Sequence, residues 1–504
     1  MQELVQQNKQ AALTHNVQSC LKNSQMQNFY LTLPVLSTLK ESPFGKFWDG
    51  QCEEIQSKLW LPLLTDSQDL DSTLFVSSSN CVEDKSRFWM KRTIPNSSLT
   101  LPNLLVSLPA SATATTVNDL QVAASKKIRF YPQNEKAYDD FLTLYRRAYN
   151  LAVEYFKNGK YKDEQGKSRD IRPEICEICK EEQAKNVKPF DVNLIQEAVR
   201  KAGETFAKVC KNNKGKTTKP NSIHFKSRKG ERHSFTISRL PKGLNPYVRS
   251  LGKITLTESV PDEAIMAGAV ITKDKGRWFL QVKRFITLQP EIQGQVRCVG
   301  IDPGVRSFAT GFSATEAFVV GEDFAKDVLA GLMLKVDKLL SKRQLLMNKL
   351  IDRDNKPQWS EDQLRYIEKQ LWKLKNKKDD LILDMHNRLS YYLVSNYDVI
   401  FLPSFESRKM VKRQGKTRTI RRNTARQILD LNHYSFKLRL KWYAKKYGKI
   451  VVDVDESYTS KTRSWDGTID EKLGSSKIIK TDKFSVGRDI NGARNILIKH
   501  LKAA

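Results

Sequence analysis

Read for hydrophobic period, the chain changes texture at residue 126 and again near 293. Residues 1–125 are rich in Ser, Asn, Gln and Leu, with short apolar clusters such as LWLPLL that follow no period, so an irregular N-terminal extension is expected. KKIRFYP then reads as a short strand. Glu135 to Lys157 reads as an amphipathic helix whose stripe is Tyr138, Phe141, Leu142, Tyr145, Tyr149 and Val153. A second helical stretch covers roughly 191–210. The segment KNNKGKTTKPNSIHFKSRKGER after it is too polar and basic for a core and suits a loop facing phosphates. Between His233 and Thr287 the stretches HSFTISRL, GKITLT, GAVITK and RWFLQVKRF, broken by Gly, Pro and Asp turns, read as strands of a small β-barrel. Its first strand lies at 126–136 and the rest at 228–292, with helical residues 137–227 inserted between them.

From 293 to 504 the order is different. VRCVGID, FATGFS and EAFVVG are three strands in quick succession. A helical hairpin follows at 325–395, with Leu332, Val336, Leu339, Leu346 and Leu350 on one arm. Leu364, Ile367, Leu371, Leu374 and Leu381 mark the other, and DRDNKP joins them. Strand YDVIFLP, a basic helix around 421–447 ended by Gly448, strand KIVVDVDE and a last helix from about 488 complete the chain. Three strands followed by strand–helix–strand–helix is the order of a ribonuclease H-like α/β domain.

Charge narrows the function. The formal net charge is +30, from 86 Lys and Arg against 56 Asp and Glu. Residues 1–125 carry nine basic and eleven acidic side chains, so the whole excess lies beyond them. An excess of that size exceeds what solubility needs and fits the neutralisation of a polyanion, with nucleic acid favoured over a membrane surface. No run of about 18 apolar residues is present to form a transmembrane helix, and MQELVQQNKQ lacks the basic-then-apolar shape of a secretory signal. Seven scattered cysteines fit a reducing compartment. Cys176 and Cys179 have metal-ligand spacing, but no second pair follows at a suitable distance, so a structural pair beside a helix is expected.

Two-metal phosphodiester cleavage needs carboxylates that converge from separate elements. Asp302 closes the apolar strand VRCVGID and is followed by Pro303 and Gly304, which end the ladder and permit a tight turn. Asp489 opens the last helix, GRDINGARNILIKHL. Gly492, Ala493, Ile496 and Leu497 share its face, so this face should approach a sheet closely. For a third carboxylate the residues leave two candidates, Glu406 beyond YDVIFLP and Glu456 at the end of KIVVDVDES.

GIDPGVRSFATGF, TSKT and RDINGARNIL closely resemble signature segments of the Fanzor proteins and their bacterial relatives, TnpB, which are similar in turn to type V CRISPR effectors. The resemblance covers about 126–504. It implies a RuvC nuclease domain at 293–504, a wedge barrel and a helical recognition domain. The activity it implies is an RNA-guided DNA endonuclease that uses a transposon-derived guide RNA to cut double-stranded DNA beside a short motif, as a monomeric ribonucleoprotein. In the TnpB pattern the middle Glu directly follows the strand, where this chain has Pro403. Fanzor-like members use a Glu just before the TSKT-type segment, here Glu456. The resemblance therefore implies Asp302, Glu456 and Asp489 as ligands of two Mg²⁺ ions, with Glu406 in reserve. Relatives carry two Cys pairs in the insertion that occupies 457–487 here. This chain has Arg463, Asp466, Lys480 and Lys483 at those places, so no zinc is expected and packing or ion pairs must hold the insertion. Fanzor-like features also imply a nuclear protein, with KSRKGER and VKRQGKTRTIRR as candidate import signals. The rival readings are an unguided RuvC-like nuclease and a catalytically inactive, guide-dependent DNA-binding protein. The inserted helical and barrel module argues against the first, and the retained carboxylates against the second.

Overall fold

The computed structural model describes residues 75–76, 90–95, 106–107, 121–184, 191–214, 221–239, 251–288, 295–351, 358–412, 420–455, 459–465, 467–469, 477–480 and 485–503. It divides into two compact units, one made of Met1–Asp119 with Leu288–Ala504, the other of Leu120–Thr287.

The first unit is organised by a seven-stranded sheet. Its strands are β1 (Phe75–Val76), β2 (Met90–Pro95), β10 (Cys298–Pro303), β11 (Ala309–Ser313), β12 (Ala317–Val320), β13 (Val399–Pro403) and β14 (Ile450–Val454), in the spatial order β1-β2-β12-β11-β10-β13-β14. β10, β11 and β12 form an antiparallel meander, with Asp302 opposite Thr310. β13 and β14 then add in parallel on the other side of β10, as the helical crossovers before each of them require. This reproduces the ribonuclease H-like order expected from the sequence. The N-terminal extension, expected to be irregular, contributes more than that. β2 pairs antiparallel with β12 from Ala317↔Thr93 to Val320↔Met90, Lys91 Nζ reaches Glu322 at 2.7 Å, and the Arg92 guanidinium lies 4.9 Å above the Tyr392 ring.

Alternation along the central strands separates two cores. Val299, Ile301, Ile400 and Leu402 face one helix layer. That layer is built from α5 (Gln358–Asn396) and α8 (His433–Lys446), with Leu389, Leu393, Phe436 and Leu440 pointing inward. Val399, Phe401 and Val454 face the opposite side, where α9 (Arg488–Ala503) lays down Ala493, Ile496 and Leu497, each 1% exposed or less. Gly300 lies under that helix. A methyl group there would sit 2.5 Å from the Ala493 carbonyl oxygen and 2.8 Å from the Leu497 nitrogen. Both are backbone atoms, so the clash has no side chain to absorb it.

The amino ends of β10, β13 and β14 are pinned by one buried carboxylate. Asp398 accepts from the Arg297 backbone N–H at 2.9 Å and from Lys449 Nζ at 2.8 Å. Burial opposes its charged form, but these donors outweigh it and hold the carboxyl below its usual range. The helical hairpin is present as α4 (Ala330–Ile351) and α5, joined through Val336, Ile367 and Leu371 of the expected stripes; its linker lies outside the described residues.

The second unit is a five-stranded antiparallel sheet in the order β5-β7-β8-β4-β6. Here β4 is Gln121–Pro132, β5 Arg232–Arg239, β6 Ile254–Leu256, β7 Ala264–Asp274 and β8 Arg277–Thr287. Among the described residues β5 and β6 are edges that do not pair with each other, so the expected barrel is seen as an open sheet. A register shift between Ile265 and Val270 interrupts β7, and β6 is three residues long. β4 also begins five residues before KKIRFYP. Between β4 and β5 lie α1 (Glu135–Lys157), α2 (Arg172–Ala184) and α3 (Val192–Asn213). Every residue of the expected α1 stripe is buried, and Tyr138 packs edge-on against Trp278 of β8, 5.3 Å between centroids. Sheet and helices share one core.

The basic segment after α3 is only partly a solvent-facing loop. Ile223 is buried, and Asn150 of α1 exchanges two hydrogen bonds with the Lys226 backbone, at 2.8 and 3.1 Å. The Lys226 ammonium lies 4.7 and 4.2 Å from the Tyr145 and Tyr149 rings, and burial pulls its pKa down to about 8.

The close approach at Gly300 gives a direct test. Gly300→Ala should lower unfolding stability by roughly 3 kcal/mol, as for overpacked cores, read by chemical denaturation. An Ala at exposed Gly331, where nothing lies within 4 Å, should be far milder.

Candidate active site

Two of the three expected carboxylates are brought together by α9. Asp302, at the carboxyl end of β10, points to the α9 face. A methyl group on Gly492 would lie 2.4 Å from its Oδ2. Asp489 is in the first turn of α9, three residues before Gly492 and on the same face. Ser307, in the turn between β10 and β11, donates to Asp489 Oδ2 at 3.3 Å. The two aspartates therefore meet on one helix face at the end of the central strand, each half-buried. The hydroxyl of Ser460 approaches the same spot, 3.8 Å from where a Gly492 methyl would be.

Glu456 lies outside the described residues. β14 ends at Val454, two residues before it, in parallel register with Pro403 of β13. Glu406 is described. It precedes the short helix α6 (Ser407–Val411), is 52% exposed and pairs with Lys409 Nζ at 2.5 Å, so it faces water. Among the described residues no three His, Cys, Asp or Glu side chains cluster as a metal site. The two aspartates offer hard oxygen donors, the chemistry that suits a divalent cation such as Mg²⁺ or Mn²⁺ and not a thiophilic one.

The turn that carries TSKT is closed by hydrogen bonds. Arg463 N–H donates to Thr468 O at 2.8 Å and Gly467 N–H to Arg463 O at 3.0 Å. Trp465 is buried beneath them. Asp466 and Lys483 lie outside the described residues. Lys480 ends β15 (Ile478–Lys480), which pairs with β16 (Ser485–Gly487) through buried Ile479 and Val486.

Three polar residues of α9 escaped the sequence reading. Asn491 and Asn495 are fully buried and Arg494 nearly so. Asn491 donates to Thr462 O at 2.8 Å and accepts from Ser464 N. Asn495 donates to Thr459 O and Thr462 O. Arg494 Nη1 reaches Ser464 O and Oγ, both at 3.2 Å, and burial pulls its pKa down to about 9. The available signal was their spacing, i, i+3 and i+4, opposite a face already committed to the sheet. Polar residues so placed are ordinarily a solvated face.

The turn bearing Ser307 is anchored by its neighbour. Phe308 stacks between His433 of α8 and His386 of α5, at 4.7 and 5.0 Å between centroids. Burial pulls the two imidazoles down to about 4 and about 3. The CxxC pair sits within α2, where burial pushes both thiols up, Cys179 to about 11. Raised thiols make poor ligands and poor nucleophiles.

Strand order, two helix layers and the aspartate pair define a ribonuclease H-like α/β domain. Comparison with known proteins specifies it further. The family model of the Cas12f1-like TNB domain matches residues 433–496, which run from α8 through the TSKT turn into α9. A mimivirus (Acanthamoeba polyphaga mimivirus) protein named as a transposase is 33% identical over 232 residues, 45% of each chain, so the match spans less than half of that relative. A TnpB-like protein of the same virus is 26% identical over 401 residues, 75% of this chain and 74% of the relative. The cryo-EM structure of a Cas12f1–sgRNA–target DNA complex aligns over 75% of this chain and 98% of that one, at 13% identity and a TM-score of 0.39. On the sequence matches, the chain is similar to TnpB-like proteins over three quarters of its length.

The buried imidazoles make stability depend on pH. Their folded pKa values lie below the ordinary value near 6.5, so their contribution is complete above that pH. As pH falls, the unfolded chain takes up protons that the fold refuses. Stability should drop by up to about 1.4 kcal/mol per pH unit per histidine, flattening only near the folded values. Denaturation midpoints between pH 7 and 4.5 check this, and His433→Phe should remove one proton's share of the slope.

Proposed function

We propose that this chain is an RNA-guided DNA endonuclease that binds a guide RNA and cleaves double-stranded DNA with a RuvC-type site. The observation that carries the reading is the convergence of Asp302 and Asp489 on one face of α9 at the carboxyl end of β10. Similarity to TnpB-like proteins and the basic excess support it. In this reading the open sheet of the second unit is the wedge element, and α1–α3 form the recognition element.

Asp302, Glu456 and Asp489 would hold two divalent ions, which supply Lewis-acid stabilisation of the attacking and leaving oxygens. The protein's own part is positional. β10 fixes Asp302, the first turn of α9 fixes Asp489, and the Ser307 hydroxyl restrains one oxygen of Asp489. Pro303 ends the β10 ladder beside Asp302. On this assignment the middle ligand follows β14, while the exposed Glu406–Lys409 pair lies outside the site.

The basic excess serves the RNA and the heteroduplex. Neutralising many phosphates makes affinity fall steeply with salt, because each contact releases counterions.

Asp302→Ala, Asp489→Ala and Glu456→Gln should each abolish target cleavage in Mg²⁺ while leaving RNA and target binding within about twofold. Glu406→Gln should keep substantial activity. Loss in Glu406→Gln with retention in Glu456→Gln would place the middle ligand in the loop after Pro403. Purified without nuclease treatment, the protein should retain RNA, and its DNA affinity should fall with a log–log salt slope steeper than about −4. A slope of one or two with no bound RNA would contradict the guided reading.

A further inference from the structure

The backbone of the TSKT turn is held by hydrogen bonds both within the turn and from α9. Thr459, Thr462 and Ser464 are each 1% exposed or less, although Lys461 between them is exposed. Besides the backbone hydrogen bonds that close the turn, part of the grip comes from α9. Asn491, Arg494 and Asn495 of α9 take the carbonyls of Thr459, Thr462 and Ser464 and the amide of Ser464. Two side-chain amides and a guanidinium buried together are expensive unless hydrogen-bonded; each of the three donates to the turn, while Asn495 Oδ1 has no hydrogen-bond partner. Packing alone would be served by Leu or Ala at these places, so polar side chains bonded here argue for a specific geometry.

That geometry has an evident beneficiary. The turn is bracketed by clamped residues at 459 and 462, and between them Ser460 presents its hydroxyl to Gly492, where the Asp302 carboxylate also lies. Asp489, Gly492 and the clamp residues belong to a single helix, so the clamp fixes the turn in the same frame that carries the aspartates. We propose that Asn491, Arg494 and Asn495 are positioning residues: they hold the Thr459–Ser464 turn so that the Ser460 hydroxyl stays beside Asp302 and closes one side of the carboxylate site. The positioning role rests on the endonuclease reading. The holding of the turn does not.

Three measurements on the full-length protein test it. In the wild type, hydrogen exchange of the peptide covering 459–464 should be as slow as that of β10; rapid exchange overturns the clamp. In Asn495→Ala, trypsin should cut after Lys461 or Arg463 at least about tenfold faster while the rest of the chain keeps its resistance, and Mn²⁺ affinity of the RNA-free protein, followed by paramagnetic resonance of free Mn²⁺, should weaken about tenfold. Arg494→Lys, which keeps the charge but loses the paired contact with Ser464, should show the same changes to a smaller degree and serves if Asn495→Ala does not fold. Ser460→Ala should weaken Mn²⁺ binding without sensitising the turn. A released turn with unchanged Mn²⁺ affinity would overturn the positioning role alone. No Mn²⁺ binding by the wild type would overturn the endonuclease reading and the positioning role with it, leaving the clamp to stand or fall on exchange and proteolysis.

Discussion

The last helix reaches the central strand only because two glycines let backbone meet backbone. Gly300 admits the Ala493 carbonyl and the Leu497 nitrogen, and Gly492 admits the Asp302 carboxylate. Any side chain at either place would lift α9 off the sheet. The first turn of the helix, with Asp489, would then move away from the end of β10. The chemistry proposed for this fold therefore depends on a packing distance set by the absence of two methyl groups. Burial of Ala493, Ile496 and Leu497 keeps that distance, each apolar side chain contributing on the order of 1–3 kcal/mol.

The two ends of the central strands are managed differently. At the amino ends, Asp398 draws Arg297 and Lys449 into one buried charge cluster that ties β10, β13 and β14 together. At the carboxyl ends, acidic side chains converge where such pairs would repel one another without a cation between them. Rigid fixation at one end leaves the other free to be shaped by turns. The Ser307 turn is anchored by Phe308 between two neutral imidazoles, and the TSKT turn by the amides of α9. Both turns deliver a hydroxyl to the neighbourhood of an aspartate.

Much of this was legible from period alone. The α1 stripe and the apolar face of α9 follow from burial against a partner surface, which imprints a period on sequence, while the short apolar runs of β10 and β13 mark strands buried on both faces. The elements that escaped do not follow that rule. β2, MKRTIP, is basic, ends in proline and gains its place by pairing with a strand far along the chain. Lys226 reads as a solvated charge but is covered by two tyrosine rings. Asn491, Arg494 and Asn495 read as a polar surface, because a hydrophobicity pattern cannot tell a side chain bonded to water from one bonded to a buried carbonyl. Among the described residues the strands expected to form a barrel make an open sheet, since alternation does not encode which edges pair. The placement of Asp302 and Asp489 on one face of α9 was legible from their positions at a strand end and a helix start. The choice between Glu406 and Glu456 was not, since both follow apolar strands of the same sheet.

The central claim is that Asp302, Glu456 and Asp489 form one divalent-metal site. Its most direct test is an anomalous difference map from crystals of the protein grown or soaked in Mn²⁺. The account predicts two peaks about 3.5–4 Å apart, one shared by Asp302 and Asp489 and with the Glu456 carboxylate completing the set. Peaks at Glu406, or no peak between Asp302 and Asp489 at saturating Mn²⁺, would contradict it.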